Sequence, residues 1–218
     1  MKDLSTNAPV AGDLPTLFVL GDSISMHYGP FLETQLRGFY RYQRKTAPSG
    51  EGADLDEGRG ANGGDSLMVL SYLKERFAEP TFRPETLLLN CGLHDIKTNP
   101  ATGAKQISEA AYLANLKGIV ELLANRSTRP VWVRTTHCAD EIHNSVRTTF
   151  NRYLADVDAF NCIADDVMAT AGISVIDLYH FTRNLGEDRN LFQDHVHFRP
   201  AICAQQAAFI AGALVARL

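Results

Sequence analysis

Five short runs of apolar or β-branched residues punctuate the chain: TLFVL at 16–20, FYRYQRK at 39–45, TLLLN at 86–90, VWVRTT at 131–136 and ISVIDL at 173–178. The second is the weakest. The others are continuous rather than strictly alternating, which is the pattern of strands covered on both faces, as in a parallel sheet. Between the runs, apolar residues recur at helical spacing. Leu67, Leu70, Leu73 and Phe77 form one stripe, and Leu113, Leu116, Val120 and Leu123 form a second. Val146, Phe150, Leu154, Val157 and Ile163 predict a helix across 143–171. Cys203, Ala207, Ile210 and Leu214 share one face of a last helix, opened by Pro200 at a position where proline is favoured.

Strands alternating with helices predict an α/β fold with right-handed crossovers, a five-stranded parallel sheet inside three α/β/α layers. The polar, glycine-rich stretch 48–64 reads as one long loop, and loops of that length in compact domains are commonly functional. No repeat, low-complexity tract or linker divides the chain. It is therefore read as one domain, 1–218, with 1–13 a loose leading segment.

Composition narrows the class. At 218 residues and 45% hydrophobic, the chain can bury a full core without disulfides or metals. The net charge of −4 and the scattered basic residues argue against a nucleic-acid partner; the densest cluster, RYQRK at 41–45, is too short for a binding patch. Cys91, Cys138, Cys162 and Cys203 form no CxxC pair and read as free thiols suited to a reducing compartment. The N-terminal MKDLSTNAPVAGDLP has no apolar signal core, and no apolar run is long enough to span a bilayer. A soluble cytoplasmic protein with no membrane partner is expected.

In such folds ligands bind beyond the carboxyl ends of the strands. Chemistry-bearing residues gather there: GDSIS after the first run, CGLHDIK after the third, HCADEIHN after the fourth and QDHVHFRP beyond the fifth. Taken alone, Ser23 reads as a turn or helix cap. As a nucleophile it needs a base and an orienting acid, because a serine hydroxyl reacts poorly until its proton is taken. Asp194 and His197 supply both. At i, i+3 in a tight loop the carboxylate can fix the imidazole tautomer while the other ring nitrogen faces the serine. His195 is a competing base, and spacing leaves that choice open.

In RGANGGDS the spacing Gly58-x-Gly60-x-x-Gly63 formally matches a dinucleotide fingerprint, but it follows polar, acidic chain rather than a buried strand, so no nucleotide is expected. Gly64 is better used as a bare N–H for a developing oxyanion, with Asp65 or Ser66 capping the next helix. His94 offers a ring N–H after the third run, beside Asp95. His94, Asp194, His195 and His197 have the chemistry of zinc ligands but lack HExxH spacing, and no metal or other cofactor is expected.

These motifs, taken in order, resemble the SGNH, or GDSL, hydrolase family of serine esterases over residues 21–197. GDSIS resembles the first block, with Ser23 as nucleophile. NGGDS resembles the second, with Gly64 as the oxyanion-hole glycine, and DHVH the fifth, with Asp194 as acid and His197 as base. GLHD resembles a third block that is usually Gly-x-Asn-Asp, so His94 stands where an asparagine helps line the oxyanion hole. The resemblance implies a flavodoxin-like sheet, an acyl-serine intermediate and an oxyanion hole of Ser23, Gly64 and His94. It also implies a small-molecule ester as substrate. With no large apolar lid in the sequence, short acyl groups are favoured, O-acetylated carbohydrate foremost because family members often deacylate sugars. Candidate substrate contacts are Asp22, Asn62, Asp65, His137 and His195. The stretch 136–144, with Asp140 and His143 read mainly as surface residues, would border the leaving group. Lysophospholipid or thioester hydrolysis, or binding of an acylated ligand without turnover, are the alternatives.

Overall fold

Burial decides which runs become the centre of the sheet. In the computed structural model, which describes residues 14–47, 55–147 and 149–218, β1 (Thr16–Leu20) and β3 (Thr86–Leu89) are buried at every position and lie side by side. The leading segment 1–13 and the 48–54 part of the long loop lie outside the described residues. β2 (Arg41–Arg44) pairs with the free side of β1, and β4 (Arg129–Val133) and β5 (Ser174–Ile176) continue beyond β3. Every pairing is parallel and the order is β2-β1-β3-β4-β5, which places a topological switch between β1 and β3. β2 is an edge strand with alternating exposure, which is why its sequence pattern is weak.

The helices are α1 (Ser23–Gln35), α2 (Ser66–Ala78), α3 (Glu109–Leu123), α4 (Asp140–Val146), α5 (Leu154–Thr170), α6 (Leu178–Arg183), α7 (Asp188–Leu191) and α8 (Pro200–Val215). α1 packs on α8, which also meets α6; α2 packs on α3, and α3 on α5. No helix among the described residues is long and apolar enough to cross a membrane. The cysteines are free, with only Cys162 exposed.

Three sequence expectations are corrected. Leu67 is half exposed, and Val69 joins Leu70, Leu73 and Phe77 on the buried face of α2. In α3 the buried face is Tyr112, Leu116, Ile119 and Leu123, with Leu113 and Val120 at its margin. The helix expected across 143–171 is two helices, because Asn151 and Arg152 between them are tied to other segments. Asn151 and Thr98 exchange two backbone hydrogen bonds of 2.8 Å, and Asn144 clasps Arg152 through both its side-chain oxygen and nitrogen. Val146 is left exposed, and Phe150 packs beside His143 instead of continuing a helical stripe.

The sequence pattern also passed over α1. It contains Gly29 and Pro30, and Ile24, Tyr28 and Leu32 at i, i+4, i+8 bury one face of it.

Candidate active site

β1 ends at Leu20, Gly21 follows it, and Asp22 takes an extended conformation and accepts the Ile24 N–H at 3.0 Å, capping α1. Ser23 is therefore the first residue of a helix emerging at the carboxyl edge of the sheet. Its N–H, in the first turn, has no intrahelical acceptor.

The opposite side of the site is a small hairpin. Phe192 and Phe198 form an antiparallel bridge with their rings stacked at 4.7 Å, and Gln193 N–H donates to the His197 carbonyl at 2.8 Å. Inside it, Asp194 Oδ1 accepts the N–H groups of Val196 and His197 at 2.9 and 2.7 Å. That turn leaves Oδ2 to meet His197 Nδ1 at 2.9 Å. His197 Nε2 in turn lies 2.9 Å from Ser23 Oγ. Burial pushes the Asp194 carboxyl upward, but the two N–H groups and His197 outweigh it and hold the acid below its usual range. Burial holds the His197 imidazole below its ordinary value, with Asp194 pulling it partly back. A carboxylate facing Nδ1 fixes the proton there, leaving Nε2 bare to accept from the serine hydroxyl.

His195 has a different geometry. Its Nδ1 is 3.0 Å from His143 Nδ1, and its Nε2 is 3.4 Å from Asp56 Oδ2. A neutral pair holds one proton between the two Nδ1 atoms. The His143 N–H then donates to His195, and His195 Nε2–H donates toward Asp56. Burial, Arg152 and His195 push His143 down to about 3, and burial lowers His195 as well, so both stay neutral at pH 7. Asp56 also pairs with Arg147, and Arg152 Nη1 lies 3.6 Å from its Oδ1. His195 thus ties the hairpin to the 55–65 loop and does not face Ser23.

The second motif meets the end of β1, where the Gly63 N–H donates to the Gly21 carbonyl. Gly64, at φ +73, directs its N–H to Asn62 Oδ1 at 2.9 Å, so this expected oxyanion donor is already engaged and can serve a ligand only by sharing. Asn62 Nδ2 donates to the Leu55 carbonyl at 2.9 Å and lies 3.4 Å from His94 Nε2. For that second contact His94 Nε2 must be the acceptor, which puts the ring proton on Nδ1. Burial, with Lys97 and Arg152 nearby, holds His94 well below its usual range and hence neutral. Asp95, next to it, anchors α2 by accepting the Ser66 N–H at 2.9 and 3.1 Å, and burial raises its carboxyl to about 7.

Several expected substrate contacts face inward instead. Asp22 is a buried cap. Asp65 caps α2 through Met68 N–H at 3.0 Å and accepts from Gln106 Nε2 at 2.7 Å. His137 is buried, 2.9 Å from Asp188 Oδ1 and packed on Phe192 and Phe198, where it braces the hairpin from behind. His143 is an interior residue, and Asp140 accepts the Leu154 N–H at 2.7 Å. Of this set Asn62 links Leu55, Gly64 and His94, and His195 links the hairpin to His143 and Asp56. Among the described residues no cluster of three or more His, Cys, Asp or Glu side chains is arranged to hold a metal ion.

Three residues escaped the sequence reading. His27 stacks on His197 at 4.6 Å; its signal was available, since it lies one helical turn after Ser23. Arg152 is buried behind the third motif, its Nε donating to the Leu93 carbonyl at 2.7 Å. It and Asp56 carry no local signal, because their roles depend on segments far away in sequence. Beside Asp56 opens a cavity of about 670 Å³ lined by Lys97, Asn99, Gln106, Arg147 and Phe150 among others.

A parallel sheet of this order is a doubly-wound α/β architecture, whose ligand sites lie at the switch between β1 and β3. Residues 19–204 match the GDSL-like lipase/acylhydrolase family, and the chain belongs to that family of ester hydrolases. The fold is shared with solved structures. A lipase/acylhydrolase from Enterococcus faecalis is 18% identical with a TM-score of 0.69, covering 94% of this chain and 97% of its own. A GDSL-like lipase from Bacteroides thetaiotaomicron is 16% identical with a TM-score of 0.65, covering 97% and 92%. LAE5, an α/β hydrolase from the metagenome of Lake Arreo, Spain, is 16% identical with a TM-score of 0.64, covering 93% and 94%. Among curated proteins, none matches in sequence.

Proposed function

We propose that this hydrolase works through an acyl-serine intermediate on short acyl esters of hydroxyl-rich alcohols, acetylated carbohydrate foremost. The observation that carries the reading is the continuous line from Asp194 Oδ2 through both nitrogens of His197 to Ser23 Oγ, with both contacts at 2.9 Å. His197 takes the Ser23 proton as Oγ attacks the ester carbonyl, and the carbonyl π electrons move onto oxygen. The oxyanion is met by the Ser23 N–H, a shared Gly64 N–H and the His94 Nδ1–H. The tetrahedral intermediate collapses, the C–O bond to the alcohol breaks, and His197 gives its proton to the leaving oxygen. Water, deprotonated by His197, then attacks the acyl-serine, the acyl C–Oγ bond breaks, His197 returns its proton to Ser23 Oγ and the carboxylic acid leaves.

The test compares wild type with Ser23→Ala on aryl esters of graded acyl length, then on acetylated sugars, with intact mass measured after a serine-reactive phosphonate. Turnover fastest on acetyl esters, lost in Ser23→Ala, with one phosphonate adduct on Ser23, supports the reading. Wild-type turnover by Ser23→Ala overturns it. A preference for long-chain lysophospholipids or acyl thioesters overturns the substrate class. An inert protein without adduct points instead to a member that binds an acylated ligand without turning it over.

A further inference from the structure

A base that gains and loses a proton in each half-reaction must keep its ring plane through both. The two edge contacts of His197, to Asp194 and to Ser23, fix the ring along one line but leave it free to roll about that line. A contact on the ring face removes that freedom, and His27 provides one. The rings of His27 and His197 are stacked, with centroids 4.6 Å apart and planes 28° from parallel. His195 approaches the same ring only edge-on, at 6.1 Å and 64°.

The sequence builds this contact through helix geometry. His27 follows Ser23 at i+4 on α1, so both side chains lie on one face, one turn apart. The helix that presents the hydroxyl to Nε2 thereby also presents a flat ring to the imidazole that reaches it. Burial and the neighbouring His197 hold His27 below its ordinary value, so at neutral pH the platform carries no charge. A neutral aromatic face attracts a cation placed over it, whereas a second cation would repel it.

We infer that His27 is a positioning residue for His197: its stacked imidazole holds the base in plane between Ser23 and Asp194 and offers a π-face to the imidazolium formed in turnover. This rests on the acyl-serine reading above, and the experiment separates the two.

Full-length His27→Ala, His27→Gln, His27→Phe and Ser23→Ala proteins are assayed on p-nitrophenyl acetate beside wild type, with melting temperatures measured on the same samples. His27→Ala and His27→Gln, which lack a ring, are expected to lower kcat about tenfold with KM within about twofold, as misplacement of a reacting group does. His27→Phe, which restores a flat face without ring nitrogens, is expected to recover kcat to within about threefold of wild type. Should the Ala variant not fold, the Gln–Phe pair makes the same comparison. Wild-type kcat in a ringless variant overturns the inference, as does a Phe variant no faster than the Gln variant at equal melting temperature. In both cases Ser23→Ala remains inactive and the acyl-serine reading stands. Ser23→Ala turning over at the wild-type rate removes both.

Discussion

The Gly63 N–H donates to the Gly21 carbonyl oxygen at 2.9 Å, which fastens the loop before α2 to the turn that carries Ser23. Two motifs 42 positions apart are thereby brought to one edge of the sheet. The contact requires a residue without a side chain, since a Cβ on Gly63 would stand 2.9 Å from that same oxygen. Gly63→Ala is expected to push the loop off β1, at the cost of about 1–3 kcal/mol usual for overpacking. The melting temperature should then fall by about 3–10 °C. Activity should fall more than the folded fraction does, because Asn62 and Gly64 move with the loop. Thermal unfolding and turnover measured on one preparation check this, and an unchanged melting temperature contradicts it.

In the proposed mechanism His197 must be neutral to accept the Ser23 proton. Burial holds His197 below its ordinary value and His195 opposes its charging too, while Asp194 pulls the other way. The acid limb of kcat/KM should therefore have its midpoint below about 6.5. Asp194→Asn removes a negative charge that favours the protonated ring, so the limb should move to still lower pH while kcat falls by about a hundredfold or more. A pH–rate profile of the two proteins decides it; a wild-type limb at or above the ordinary histidine value counts against the assignment.

His94 can donate only through Nδ1, because Nε2 faces Asn62. If that N–H meets the oxyanion, His94→Ala should lower kcat by about 10²–10³ with little change in KM. His94→Asn, which keeps a side-chain N–H donor at this position, should keep most of the activity. Steady-state kinetics on a short aryl ester distinguish the outcomes, and full activity in His94→Ala removes His94 from the hole.

Asp95 makes a prediction about stability. Burial raises its carboxyl from 3.8 to about 7 in the folded protein. A raised value means that the folded state holds its proton more tightly than the unfolded chain. The stability this gives is complete below about pH 4 and is lost as pH rises toward 7, at no more than about 1.4 kcal/mol per unit. Asp95→Asn still offers an oxygen to the Ser66 N–H and does not titrate. Its stability relative to wild type should rise between pH 4 and 7, as read by denaturant unfolding at several pH values. A difference independent of pH contradicts the assignment.

The sheet was legible in the sequence because its central strands are buried on both faces, which leaves uninterrupted apolar runs such as TLFVL and TLLLN. The 194–197 turn was legible for a similar reason, since Asp194 satisfies its own loop and all the residues involved lie within four positions. The break between α4 and α5 was not, because it is imposed by Thr98 and Leu93, some 50 positions or more upstream.

Local sequence by itself determined the strand ends and the turn closed on Asp194, since backbone hydrogen bonding and side-chain periodicity act over a few residues. Only the tertiary structure decided between the two histidines. His195 and His197 share one hairpin and have similar chemistry, and the tight turn closed on Asp194 sends one to His143 and Asp56 and the other to Ser23. Their partners lie 52, 139 and 174 positions away in sequence. No local pattern encodes contacts at that range, which come from how the sheet order and the packed helices fold one loop against another.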